Sequence, residues 1–258
     1  MDIRDITFSY YLKNKQKKYL PADWMNGSIL EIGAGLDNYS SLVHNKNYTA
    51  CDMDITLGAS IKRFVQADIS FLPFKPGTFD WFIANSILEH VPDPQSVLNQ
   101  LALIVREGGL VSIPVLDSFP FLYDPVNWIL KKLNRNPVNF GIHGFGHISM
   151  HYRTKWEEMF DQAGFVTIKA IPSRINLFAA LEFFIISLFL SHKEYTLLMN
   201  SLHGFSSKNK QFAPRLLGFI KMVVRPFYYL LYKAGFDLKG SIGYMYYLKK
   251  SSNLKNNY

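Results

Sequence analysis

Four short clusters in this 258-residue chain have the residue types and spacing to build a site for a ribose-bearing ligand. Glu31-Ile32-Gly33-Ala34-Gly35 closes an apolar run. Glycines at the end of a strand let the backbone approach a ligand with no Cβ in the way, and a following helix offers N–H groups. A dinucleotide fingerprint asks for a third glycine at position 38, where this chain has Asn38, which disfavours a pyrophosphate-binding nicotinamide enzyme. Asp52 ends the next apolar run, and a carboxylate there can accept both hydroxyls of a ribose. Asp54, two residues on, is the alternative. Ala67-Asp68-Ile69 and Asn85-Ser86-Ile87-Leu88-Glu89-His90 close two more runs. His90 is one candidate for moving a proton near neutral pH, and His143, His147 and His151 are others. The last three are spaced by four, as metal ligands on one helix face would be. Gly141, Gly144 and Gly146 oppose a helix there, so no metal site is expected.

The elements that must position these residues alternate. Ser28–Ile32, Tyr48–Asp52, Phe64–Asp68, Phe79–Asn85 and Leu110–Pro114 read as buried parallel strands, the last entered through Gly108-Gly109. Pro94 to Val105 has Val97, Leu98, Leu101, Ile104 and Val105 at helical spacing. Strands alternating with helices predict an α/β fold with a doubly wound, mostly parallel sheet. Residues 1–27 form a helical lead-in, and 28–173 the ligand-binding core. Within it, 115–151 is broken by Pro120, Pro125, Pro137 and glycines around a short helix near Val126 to Leu133, and reads as an inserted lid or substrate loop. Thr154 to Ala163 is a helix stopped by Gly164, and Phe165 to Ile171 a further strand.

Taken in order, the glycine motif, Asp52, Ala67-Asp68-Ile69 with Leu72-Pro73-Phe74, Phe79-Asp80, Asn85 to Val91 with Pro92-Asp93-Pro94, and Val105-Arg106-Glu107-Gly108-Gly109-Leu110 resemble the small-molecule branch of the class I, Rossmann-like S-adenosylmethionine-dependent methyltransferases. The resemblance covers roughly 28–115, with a weaker echo in Gly146-His147 and Trp156 to Phe165. It implies an enzyme with S-adenosyl-L-methionine as cofactor. Glu31, Gly33, Ala34 and Gly35 would cradle the methionine half, Asp52 and its neighbour Met53 the ribose, Asp68 and Ile69 the adenine, and Asn85 the region beside the methyl group. His90 and His147 are the catalytic candidates. Two departures stand out: the connection from Asp54 to Asp68 is short, and position 37 is Asp.

Residues 174–258 differ in kind. Residues 1–170 hold 16 Lys+Arg and 17 Asp+Glu, so of the chain's 28 and 20 the remainder holds 12 and 3, a net of +9. Two greasy stretches, Ile175 to Leu190 and Leu216 to Phe236, share this basic segment, the first too short to span a bilayer. The segment therefore reads as a helical, hydrophobic appendage that covers the pocket or lies on an anionic membrane through residues 174–236. Ile242 to Leu248 can return as a strand of the sheet. The expected acceptor is a small, apolar or lipid-linked molecule. No DNA partner is expected, and RNA is disfavoured because no stacking platform accompanies the basic residues. The competing readings are an RNA methyltransferase and a non-catalytic methyltransferase-like binding module. A single cysteine, Cys51, excludes an intrachain disulfide, and Met1 to Leu20 lacks the apolar run of a secretory signal. Both fit a cytoplasmic protein, peripheral at the inner face of a membrane.

Overall fold

The apolar runs form strands because apolar side chains cover both of their faces. Along the strand Ile29–Ile32 (β1), Ile29 joins one buried cluster while Leu30 and Ile32 join the other. The strand Phe79–Asn85 (β4) repeats this, with Phe82 and Ala84 on one side and Ile83 on the other. A strand buried on both faces belongs inside a sheet with layers above and below. A computed structural model describes residues 21, 24, 26–35, 38–40, 43, 47–56, 61–116, 132–133, 147–175, 226 and 241–251, with the backbone alone for 172–175 and 241–242.

Seven strands form one sheet. Besides β1 and β4 they are Tyr48–Asp52 (β2), Phe64–Gln66 (β3), Val105–Pro114 (β5), Phe165–Ile175 (β6) and Ser241–Lys250 (β7). Their order is β3-β2-β1-β4-β5-β7-β6. β1 pairs in parallel with both β2 and β4, β2 with β3 and β4 with β5, whereas β7 runs antiparallel to β5. This is the expected doubly wound, mostly parallel sheet, and the strand anticipated at 242–248 is β7. The helix Pro94–Ile104 (α1) opens on a capping Asp93, whose side chain accepts from Ser96 N at 3.0 Å, with Pro94 in the first turn. Leu98 and Leu101 pack from it into the larger cluster, as do Trp156 and Phe160 from the helix Arg153–Gln162 (α2).

Several boundaries depart from the sequence reading, and β6 runs four residues past its expected end at Ile171. β3 stops at Gln66, before Asp68. β5 begins at Val105, where the helical pattern was expected to run on, so Gly108-Gly109 lie inside the strand. They serve close packing there and form no turn. A Cβ on Gly109 would meet the Phe82 ring at 2.2 Å, and one on Gly108 the Leu248 carbonyl oxygen at 2.1 Å.

The chain divides into two compact units. One holds Lys17–Leu116, His147–Ile171 and Gly243–Tyr258, and so carries most of the sheet. The other holds Met1–Gln16, Asp117–Gly146 and Pro172–Ile242. The expected helix at 126–133 and the greasy stretches fall outside the described residues apart from 132–133, 175 and 226. Among the described residues, no helix is long and apolar enough to cross a membrane.

Candidate cofactor and acceptor site

β1 is the first strand and pairs on both sides, so the chain connections diverge there. In an open α/β sheet this divergence leaves a crevice beyond the C-terminal ends of the strands. The expected site residues lie at those ends: Gly33 to Gly35 after β1, Asp52 and Met53 at β2, and Asn85 at β4.

The glycine turn is held from three directions. Gly33 and Gly35 have φ of 58° and 52°, left-handed values that suit glycine. Ala34 N donates to Cys51 O at 3.2 Å, tying the turn to β2. Gly35 N donates to Asp52 Oδ2 at 3.0 Å, while Asp54 N donates to Oδ1 at 3.0 Å. The Asp52 carboxylate is thus fixed in orientation, and each oxygen keeps a lone pair for another donor. Beneath the turn, the fully buried Glu31 accepts from Tyr39 N at 2.8 Å and from the Tyr48 hydroxyl at 2.5 Å. Burial, and then the negative charge of Glu31, hold the Tyr48 phenol well above its usual range. Burial likewise raises the Cys51 thiol to about 11, with the charges of Asp52 and Asp68 adding to it.

Asp68 lies just past β3, where its side chain caps a turn by accepting from Ser70 N at 2.8 Å. Ile69 beside it is buried, whereas Met53 is exposed. Asn85 is buried at the end of β4, and its Oδ1 has no hydrogen-bond partner among the described residues. Ser86 follows at φ 55°, a left-handed conformation in a non-glycine residue, with its N–H on Ser112 O at 2.8 Å. Such backbone strain concentrates at functional sites. The 3-10 turn Leu88–His90 comes next.

That turn receives the segment returning from the insertion. Ile148 N and Ser149 N donate to Glu89 O at 2.9 and 3.0 Å, and Ser149 Oγ donates to Val91 O at 2.5 Å. His90 and His147 meet edge to face with ring centroids 4.9 Å apart. His151 stands elsewhere, 5.0 Å from the Trp156 ring, where burial and then the nearby Lys155 lower its pKa. His143 lies outside the described residues.

Residues 6–170 match a protein family described as the methyltransferase domain. The chain belongs to that family. Its cofactor is S-adenosylmethionine. An uncharacterized protein of Methanocaldococcus jannaschii is 24% identical over 178 residues, 60% of this methyltransferase and 84% of that protein. A ubiquinone biosynthesis O-methyltransferase of Colwellia psychrerythraea is 45% identical over 43 residues, 17% of this chain and 18% of that one. The match to that enzyme therefore spans less than a fifth of either protein. Among solved structures, a SAM-dependent methyltransferase from Archaeoglobus fulgidus superposes with a TM-score of 0.51 at 14% identity, covering 94% of each chain, a likeness of fold.

The residues present in this methyltransferase fit its cofactor. A Cβ on Gly35 would meet nothing nearer than Gly33 O at 3.9 Å, so the turn leaves open space against its backbone. The Asp52 carboxylate and the buried Asn85 Oδ1 are hydrogen-bond acceptors at the ends of β2 and β4, the kind of group a ligand rich in hydroxyl and ammonium donors requires. The sequence places Ser86 and Ile87 within the motif that follows β4 and assigns neither a role of its own. A polar residue directly after a strand that ends in Asn was the available signal for the first. Nothing in the sequence indicated that Ile87 packs against Gly33.

Proposed function

We propose that this methyltransferase acts on a small, apolar or lipid-linked acceptor, through a site at the C-terminal ends of β1, β2 and β4. The observation that carries the site assignment is the Asp52 carboxylate, held by Gly35 N and Asp54 N beside a left-handed glycine turn. In this reading the backbone of Gly33, Ala34 and Gly35 borders the methionine half of the cofactor, and Glu31 fixes that turn from below. Asp52 accepts the ribose hydroxyls with Met53 alongside. Asp68 accepts from the adenine amino group, Ile69 packs on the ring, and Asn85 faces the end that carries the methyl.

Bound S-adenosylmethionine supplies a methyl carbon on a positively charged sulfur, already activated for transfer. The protein's work is to align the acceptor and exclude water. The residues at the ends of β1, β2 and β4 would hold the cofactor so that an acceptor atom could approach the methyl carbon in line, with the carbon–sulfur electron pair leaving with sulfur. An O–H or N–H acceptor also sheds a proton, and His90 and His147, gathered at the turn after β4, take it up. The acceptor class is supported by the basic, apolar sequence of 174–236 and by the short likeness to a quinone-pathway enzyme. A substrate dissolved in a bilayer is reached most easily by an enzyme that sits on it, which favours a peripheral position at an anionic membrane face.

The experiment is transfer of radiolabelled methyl from S-adenosylmethionine to a membrane extract, followed by phase separation and flotation of the enzyme with anionic liposomes. Label in the organic phase and enzyme at the top of the gradient are expected. Label confined to aqueous RNA, with enzyme left at the bottom, overturns the acceptor reading.

A further inference from the structure

We infer that Glu89, His90 and His147 form a binding site for a divalent transition-metal ion such as Zn2+. The three residues offer one carboxylate oxygen and two imidazole nitrogens, all within 4.8 Å of one another. Glu89 is fully buried, His147 is nearly so at 7% exposure, and His90 is half-buried. One buried carboxylate and two imidazoles this close together suit a divalent cation, whose charge would offset that of the carboxylate. Two nitrogens and one oxygen form a borderline donor set that selects zinc, iron or manganese over magnesium or calcium.

The ligands come from two distant parts of the chain, and the backbone holds them together independently of any ion. Glu89 and His90 are consecutive in the 3-10 turn after β4. His147 is delivered by the bonds of Ile148 N and Ser149 N to Glu89 O and of Ser149 Oγ to Val91 O. A preformed frame of this kind lowers the ordering cost of binding. The spacing-of-four reading of His143, His147 and His151 missed this site, because the partners of His147 lie across the fold and not along one helix.

Three protein ligands leave a four-coordinate cation one position for water or for an acceptor oxygen. A cation there would lower the pKa of an acceptor hydroxyl bound to it, so that the proton leaves without either ligating imidazole taking it up. That role rests on the methyltransferase reading above, whereas the metal site rests on the three residues alone.

The test uses the full chain stripped with a chelator and titrated with Co2+ and with Zn2+. Visible d–d absorption of bound cobalt is read together with metal content by mass spectrometry and S-adenosylmethionine affinity by calorimetry. Wild type is expected to bind one equivalent. His147→Ala and His90→Gln should each weaken binding by more than about tenfold while retaining a cooperative unfolding transition. His90→Gln, at the less buried position, serves if His147→Ala fails to fold. No cobalt absorption in a wild-type chain that unfolds cooperatively overturns the inference, and so does absorption that both variants leave unchanged. Loss of cofactor binding with metal binding intact would sink the proposed function and leave this site standing.

Discussion

Ile87 occupies the place where Gly33 would carry a side chain: a Cβ on Gly33 would lie 2.2 Å from Ile87 Cγ1. The glycine turn after β1 and the turn after β4 are therefore packed against each other with nothing between them. Gly33 also has a left-handed φ of 58°, so a side chain is opposed twice.

Gly33→Ala is expected to lower stability by about 1–2 kcal/mol for the left-handed backbone, with the clash added to that. Cofactor affinity should fall with it. Adding Ile87→Ala relieves the clash and leaves the backbone cost, so the double variant should recover only part of the loss. Denaturant unfolding of the three proteins checks this, and a Gly33→Ala midpoint equal to wild type would show that the turn tolerates a side chain.

Asp52→Asn keeps the shape of the side chain and removes its charge. Charge-assisted hydrogen bonds are worth about 1.5–3 kcal/mol, so S-adenosylmethionine affinity should drop roughly 10–100-fold. One of the two anchoring N–H groups, from Gly35 or Asp54, would then face an amide donor. Calorimetry measures the change. Unaltered affinity would remove Asp52 from the ribose site.

The strands β1, β2 and β4 were legible because each is a short apolar run closed by a glycine or a polar residue. β4 matches its expected span of Phe79–Asn85 residue for residue. The glycines of β5 were placed at the entry of the strand and not within it, because only the neighbours Phe82 and Leu248 reveal that they make room inside a sheet. The same holds at the site. Asp52 could be named from its position at a strand end, but its grip on Gly35 N depends on how β1 and β2 are paired. The meeting of His90 and His147 needs the return of a long insertion, which no local spacing encodes.

Cys51 is buried at the heart of the sheet, and its thiol is pushed up to about 11 by burial and by the charges of Asp52 and Asp68. At pH 8 only about a thousandth would be thiolate, the reactive form. The native protein should therefore resist iodoacetamide at that pH and be modified at the rate of its unfolding. Mass spectrometry over a denaturant series follows this. Rapid labelling without denaturant would contradict the burial of β2.

Tyr48→Phe tests the hydrogen bond beneath the glycine turn. The variant leaves Glu31, fully buried, with one donor fewer, at a cost of about 1–3 kcal/mol near neutral pH. The effect depends on pH with a definite sign. Burial and then Glu31 raise the folded-state pKa of the Tyr48 phenol above its ordinary 10.0. Below that value both folded and unfolded chains keep the proton, and the contribution is whole. Above it the unfolded chain releases the proton and the folded chain does not, so stability falls with rising pH, by up to about 1.4 kcal/mol per unit. The variant lacks this term. Its urea-unfolding free energy should start below that of wild type at pH 8 and converge on it as the pH is taken past 10.0. Two curves that stay parallel across that range would mean that the phenol ionises as freely in the fold as out of it, and that Tyr48 is not what holds Glu31 in place.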